Sequence, residues 1–192
     1  SPMPLILYRD IFLENLCREV FLKNKILVRS VKMEDQEKKD QIFSYAVENF
    51  KNGLNCAECV YDALIRAGVL EVPPETRAMC TGFGGGIGLS GYTCGALSGA
   101  VMANSAIYGR PDPWAVPDEE RGHEVAARYY RRYNKMVHDF EAANSGVLCR
   151  EICSKYDDWH SKDRKKACLK LIGAAAVMAY EYLQMPQEEA FE

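Results

Sequence analysis

Eight cysteines in 192 residues are the side chains most able to do chemistry in this sequence, and their placement is uneven. Cys56 and Cys59 form a CxxC pair. Cys80 and Cys94 bracket a glycine-dense stretch, Cys149 and Cys153 are four apart, and Cys168 and Cys17 stand alone. Thiolates bind soft metals, hold iron–sulfur clusters and exchange disulfides, so these sites could serve any of the three. Two placements stand out. Cys94 follows Thr93, whose hydroxyl is suited to cap a helix, and Cys56 follows Asn55, another capping residue. A cysteine in a first helical turn meets the positive end of the helix dipole, which favours thiolate over thiol. On this reading Cys94 is an activated cysteine, and the loop before it shapes its surroundings.

Several local patterns resemble motifs whose context is missing. Cys56–Cys59 is no c-type haem attachment site, because Val60 stands where a histidine is required. It lacks the second CxxC or close histidine pair of a structural zinc site. Gly86-Ile87-Gly88-Leu89-Ser90-Gly91 spells GxGxxG, but no hydrophobic strand precedes it, so a dinucleotide is not expected. The bare amides of Gly85, Gly86 and Gly88 can still donate to an anion or to a cluster sulfur. Glu120-x-x-His123 has the spacing of half a di-iron site; without its counterpart it reads as a solvated helix face. Arg128, Arg131, Arg132 and Lys135 also read as a solvated face.

The elements that must position the cysteines are helical. Ile42, Phe43, Ala46, Val47 and Phe50 repeat near 3.6 residues, and Asn52-Gly53 ends that helix. A second helix starts after Asn55, carries Val60, Ala63, Leu64 and Ala67 on one face, and stops at Gly68. A short turn is expected over 74–79, and a helix rich in small residues over 94–108. A long helix with Val125, Tyr129, Tyr133, Met136 and Phe140 inward spans 118–143. A short one contains Cys149 and Cys153. The last opens at Ser161 or Asp163 and ends before Pro186. Few stretches alternate with period two, so the expected fold is all-α, a bundle of five or six helices with a glycine-rich loop before a central helix.

Residues 1–32 stand apart compositionally. Leu13, Leu16, Val20 and Ile26 lie roughly on one face, which suggests an added extension or an oligomerisation helix, with Cys17 outside any site. Residues 33–192 form the cysteine-containing domain. The net charge of −3 singles out neither nucleic acid nor an anionic membrane as partner. No stretch approaches the ~18–20 apolar residues of a membrane span. Charged residues interrupt the N-terminal apolar stretch, so no secretory signal is read there. Helix patterning instead of a short loop-rich disulfide scaffold points to a cytoplasmic protein, where clustered cysteines more often bind metal or carry redox chemistry.

The segments NCAECV, FGGGIG, TCGALSGAVM, AIYGR and CREI, with the late Cys168, resemble proteins described as redox-active and known by the pattern C_GCAxxG_C_C. The resemblance covers most of the chain from Met33 onward. It places the family cysteines on Cys56, Cys94, Cys149 and Cys168. Cys17, Cys59, Cys80 and Cys153 are then additions of this chain, and Cys59, Cys80 or Cys153 could extend the ligand set. The domain is also similar to the non-haem part of split-Soret cytochromes, a likeness that implies an iron–sulfur centre; with no haem motif here, haem does not carry over. The resemblance implies redox activity with an unidentified redox partner. The leading expectation is an electron-transfer protein whose four family cysteines bind an iron–sulfur cluster. A thiol–disulfide or metal-handling protein, with Cys94 and Cys56 as its redox thiols, is the second. A non-catalytic oligomeric helical module is the third, and the small-residue helices are compatible with a homodimer.

Overall fold

The computed structural model describes residues 32–187. The chain divides into two units, residues 1–38 and 39–192. Of the first, residues 32–38 are described and are helical. The extension expected over residues 1–32, with Cys17, lies outside the described residues except for Lys32, which is helical.

The second unit is all-α, and among its described residues no strand forms. Helix α1 occupies 39–51. Then come α2 (Cys56–Arg66), a ten-residue 3-10 segment (Pro74–Phe83), and α3 (Gly95–Tyr108). After a proline-rich connection, α4 (Asp118–Glu124), a π-helical turn (Val125–Tyr129) and α5 (Tyr130–Asn144) follow in succession. Helices α6 (Cys149–Ile152) and α7 (Lys162–Gln184) complete the unit. The turn expected at 74–79 is therefore longer, and the single helix expected over 118–143 is interrupted by the π turn.

Helices α2, α3 and α7 pack against one another and form the centre. Their contact faces are built from small residues, which lets the backbones approach closely. A Cβ on Gly99 of α3 would lie 2.6 Å from the Ala57 carbonyl oxygen, so the α2–α3 crossing depends on its absence. Ile42, Ala46, Val60, Ala63 and Leu64 are fully buried, as their 3.6-residue spacing predicts. Asn104 crosses the core by donating to the carbonyls of Ala100 (3.2 Å) and Ala179 (3.1 Å).

Arg132 departs from its expected place on a solvated face: it is 0% exposed. Its guanidinium lies 3.8 Å from the centroid of the Tyr108 ring. It donates to the carbonyls of Tyr182 (2.5 Å), Met185 (2.6 Å) and Pro186 (3.2 Å). Tyr182 lies in the last turn of α7 and also accepts the Met185 amide (3.2 Å), while Met185 and Pro186 follow the helix end, where the dipole also favours a cation. A period-3.6 pattern of arginines cannot distinguish the one whose face meets another helix end. Arg132→Met should lower stability by about 3 kcal/mol, because two or more carbonyls lose their donors. Urea unfolding would show the loss, with amide protection falling first at the end of α7.

Candidate functional site

Cys56 is fixed by the start of α2. The Asn55 side chain accepts from the amides of Ala57 (2.9 Å) and Glu58 (3.0 Å), and Glu58 accepts the Asn55 amide at 3.0 Å. This reciprocal capping box satisfies amides that the helix leaves open. It also anchors the approach to the glycine loop, since Thr81 donates to Glu58 (2.8 Å) and accepts from Asn55 (3.1 Å).

The loop then does something its composition only hints at. Five consecutive residues, Gly85 to Leu89, have positive φ between 58° and 74°. They form a left-handed turn, closed by Gly88 N–H to Gly82 (2.9 Å) and Leu89 N–H to Gly84 (3.1 Å). Ile87 and Leu89 hold this conformation with a Cβ, at a cost of about 1–2 kcal/mol each. The turn brings the chain back over Cys149. A Cβ on Gly86 would lie 2.6 Å from the Tyr92 amide nitrogen and 2.8 Å from the Cys149 Cβ.

Residues 91–94 then pair antiparallel with 147–150. Cys149 N–H donates to Tyr92 (2.7 Å), Cys94 N–H to Val147 (2.8 Å) and Arg150 N–H to Gly91 (3.0 Å), around a single bridge between Thr93 and Leu148. This short zipper sets Cys94 beside Cys149, and it corrects the expected cap. Thr93 is held extended by the bridge, so Cys94 itself is the N-cap and α3 begins at Gly95. Gly95 closes the third approach: a Cβ there would sit 3.1 Å from that of Cys56.

The result is a cavity of about 450 Å³ lined by Cys56, Cys94, Cys149, Cys153 and Cys168. Cys59 and Cys80 are not among its lining residues. Cys59 is fully buried with its sulfur 3.4 Å from the Leu54 carbonyl, so the CxxC pair diverges. Cys80 is fully buried against the Met102 sulfur at 3.9 Å. The Gly85 amide faces the Cys56 sulfur and favours its thiolate. The Gly88 amide, expected to donate to an anion or a sulfur, is committed to Gly82. Glu120 and His123 are exposed, in line with a solvated face. Among the described residues, no three Cys, His, Asp or Glu side chains are grouped closely enough to hold one metal ion.

One site residue escaped the sequence reading. Arg164 is 8% exposed and lines the cavity. Its guanidinium stacks on Trp159 at 4.1 Å, donates to the Trp159 carbonyl, and directs Nη1 to the Cys168 sulfur at 3.7 Å. The signal was available: Arg164 and Cys168 are four apart, hence on one helix face.

Electrostatics overturn the expectation of an activated Cys94. Burial pushes its thiol up to about 12, outweighing the favourable amides of Ala96 and Leu97, which face the sulfur without closing cap hydrogen bonds. Burial likewise pushes Cys149 and Cys168 up to about 12, with nearby Cys153 adding to both and Arg164 opposing at Cys168. Cys56 is raised by burial, against the Gly85 amide and Arg164. A helix dipole contributes too little to balance desolvation at thiols this buried. The free protein therefore holds these groups as neutral thiols at pH 7.

This has a measurable consequence. Below the ordinary thiol value of 9.0, folded and unfolded chains both keep these protons. Above it, the unfolded chain releases protons that the folded site retains up to about 12. Stability should therefore fall as pH rises through that window. Anaerobic urea unfolding under reduction at pH 7.5, 9.5 and 10.5 should show a declining midpoint, with a shallower decline in Cys94→Ala.

Residues 54–182 match the family model described as "Putative redox-active protein (C_GCAxxG_C_C)". A protein of Archaeoglobus fulgidus, described as "Uncharacterized protein", is 26% identical over 155 residues, covering 79% of this chain and 97% of the relative. No solved structure matches. Among the described residues, no helix is long and apolar enough to cross a membrane. The matched span contains all five cysteines that line the cavity, and the chain belongs to the C_GCAxxG_C_C family of cysteine-containing, redox-active proteins.

Proposed function

We propose that Cys56, Cys94, Cys149 and Cys168 hold an iron–sulfur cluster and that the protein transfers electrons in the cytoplasm to or from a partner protein. The observation that carries this reading is the convergence of four thiols, from four helices, on one cavity of about 450 Å³. An all-thiol donor set suits iron–sulfur centres. The cavity that the thiols line, about 450 Å³, has room for a polynuclear group. When bound, such a group supplies one-electron chemistry at a potential tuned by surrounding hydrogen bonds and solvent access.

The chain's own residues would do the tuning. The starts of α2 and α3 present positive dipole ends toward Cys56 and Cys94, and the Gly85 amide favours negative charge on the Cys56 sulfur. Arg164 adds a buried positive charge beside Cys168. Phe50, Leu89, Trp159 and Ile172 line the remaining wall and limit water. Because all four ligand thiols are protonated in the free protein, loading releases protons and should strengthen as pH rises from 6 to 8.

Anaerobic incubation with ferrous iron and sulfide tests the reading. The expected product is brown, with stoichiometric iron and acid-labile sulfide and charge-transfer absorption that bleaches on reduction. Colourless protein, or protein retaining only zinc, would sink it. In loaded protein, Arg164→Gln should shift the midpoint potential to more negative values, since removing a nearby cation disfavours the added electron. An unchanged potential would remove Arg164 from this role.

A further inference from the structure

The cysteine-lined cavity shares a wall with another. A second cavity of about 710 Å³ adjoins it, and Ile152, Cys153, Cys168 and Leu171 line both. Cys56, Cys94 and Cys149 line the first and not the second. Two thiols thus stand where the cavities meet, and Cys153 lies near enough to Cys168 to disfavour its thiolate. The linings differ in character. Phe50, Leu89, Trp159 and Ile172 face the inner cavity, whereas Asn144, Glu151, Lys155 and Lys170 face the outer one. Of the site's thiols, Cys153 and Cys168 are therefore the two that a polar small molecule in the outer cavity meets.

Cys153 also has no assignment in the four-cysteine family set. It caps the end of α6, one turn after Cys149, and its amide donates to the Cys149 carbonyl at 3.0 Å. Its thiol also lies near enough to Cys149 to disfavour that thiolate. A second pairing is therefore close by, but the outer cavity reaches Cys153 and Cys168 and not Cys149.

We propose that Cys153 and Cys168 form a dithiol pair that exchanges with a small polar disulfide admitted through the outer cavity. Closing the pair withdraws Cys168 from the inner site. That second consequence rests on the cluster reading above, while the exchange itself does not. In the first step the Cys153 sulfur attacks one sulfur of the small disulfide, whose S–S bond breaks. One small thiol leaves carrying the proton that Cys153 gives up. In the second step the Cys168 sulfur attacks Cys153 in the mixed disulfide, and the second small thiol leaves with the proton of Cys168. Two protein thiols are oxidised to one disulfide, and one small disulfide is reduced to two thiols. The second step is intramolecular between two thiols on one shared wall, which compensates for a thiol that is a weak nucleophile in solution encounters.

The test uses the metal-free full chain, incubated anaerobically with bis(2-hydroxyethyl) disulfide, quenched by alkylation and peptide-mapped. The expected result is a Cys153–Cys168 cross-link with two equivalents of 2-mercaptoethanol released per chain. Cys153→Ser should release at most one. Ala174→Trp, an exposed substitution that fills the outer cavity, should slow cross-linking roughly tenfold, because access is one determinant of exchange rate. A cross-link mapping to Cys149–Cys153 or Cys56–Cys94, or full-rate reaction in Ala174→Trp, would overturn the proposal. Cross-linked protein should fail to take up iron and sulfide until dithiothreitol reopens it. If reduced protein never takes them up, the cluster reading and this gating consequence fall together, and the mapped cross-link still decides the exchange.

Discussion

Cys94→Ser is expected to abolish iron and sulfide retention, a loss of roughly 100-fold or more in affinity, since disturbing groups behind a metal's ligands already costs about 10–100-fold. Cys94 is the N-cap of α3, backed by Gly95 and paired through its amide with Val147. A serine there keeps a capping oxygen, and even caps better, so the fold should survive while the soft donor is gone. That separation makes the variant informative: iron lost with the urea midpoint held is the signature of a ligand. Cys56→Ser and Cys149→Ser should behave alike. Cys59→Ser and Cys80→Ser should show the reverse. Both side chains are fully buried away from the cavity lining, so a hydroxyl there costs about 1–3 kcal/mol, more at Cys80, where only the Met102 sulfur is at hand. Iron per folded molecule should stay unchanged. Equal iron loss in Cys80→Ser and Cys94→Ser would contradict the placement of the site.

The second large effect falls on a residue that carries no chemistry. Gly86→Ala should destabilise the protein by about 3 kcal/mol or more. The backbone at this position has φ +74°, and a methyl group would collide with the Tyr92 amide and carbonyl, both at 2.6 Å, and with the Cys149 Cβ at 2.8 Å. Two of those three atoms are backbone held in the zipper between 91–94 and 147–150, so they cannot yield independently. Relief would come by pushing α6, and with it Cys149, away from the cavity. Gly88→Ala provides the comparison. It shares the left-handed φ (+58°) but has nothing within 4 Å of its Cβ direction, so its cost should be the conformational one alone, about 1 kcal/mol. Urea midpoints of the two variants, with iron uptake by each, would separate strain from collision. A Gly86→Ala protein as stable as Gly88→Ala would mean that the loop does not pack against Cys149 as described.

Local signals carried much of the fold. Ile42, Ala46, Val60, Ala63 and Leu64 announced their buried faces because a 3.6-residue period is a property of one helix alone. Asn55, Ser161 and Pro186 marked ends for the same reason: caps and stops act within a turn of themselves. The site was legible only as a set of types and spacings. Arg164 was missed although its spacing from Cys168 was readable, because an arginine on a helix is usually solvated. Arg132 was misplaced for that reason too. The zipper that sets Cys94 beside Cys149 joins residues more than fifty positions apart, with too few paired residues to leave an alternating pattern.

An all-α domain and a glycine-dense loop before a central helix could be read from the residues alone, since each depends on residue type or short-range order. Only the tertiary structure decided which thiols share a cavity. Cys153 lines it and Cys59 and Cys80 do not, an outcome set by which face each helix turns to its neighbours. Tertiary structure also decided the charge state of Cys94. Its helix-start position argued for a thiolate, but the packing of α2, α6 and α7 around it removes water, and desolvation outweighs a helix dipole.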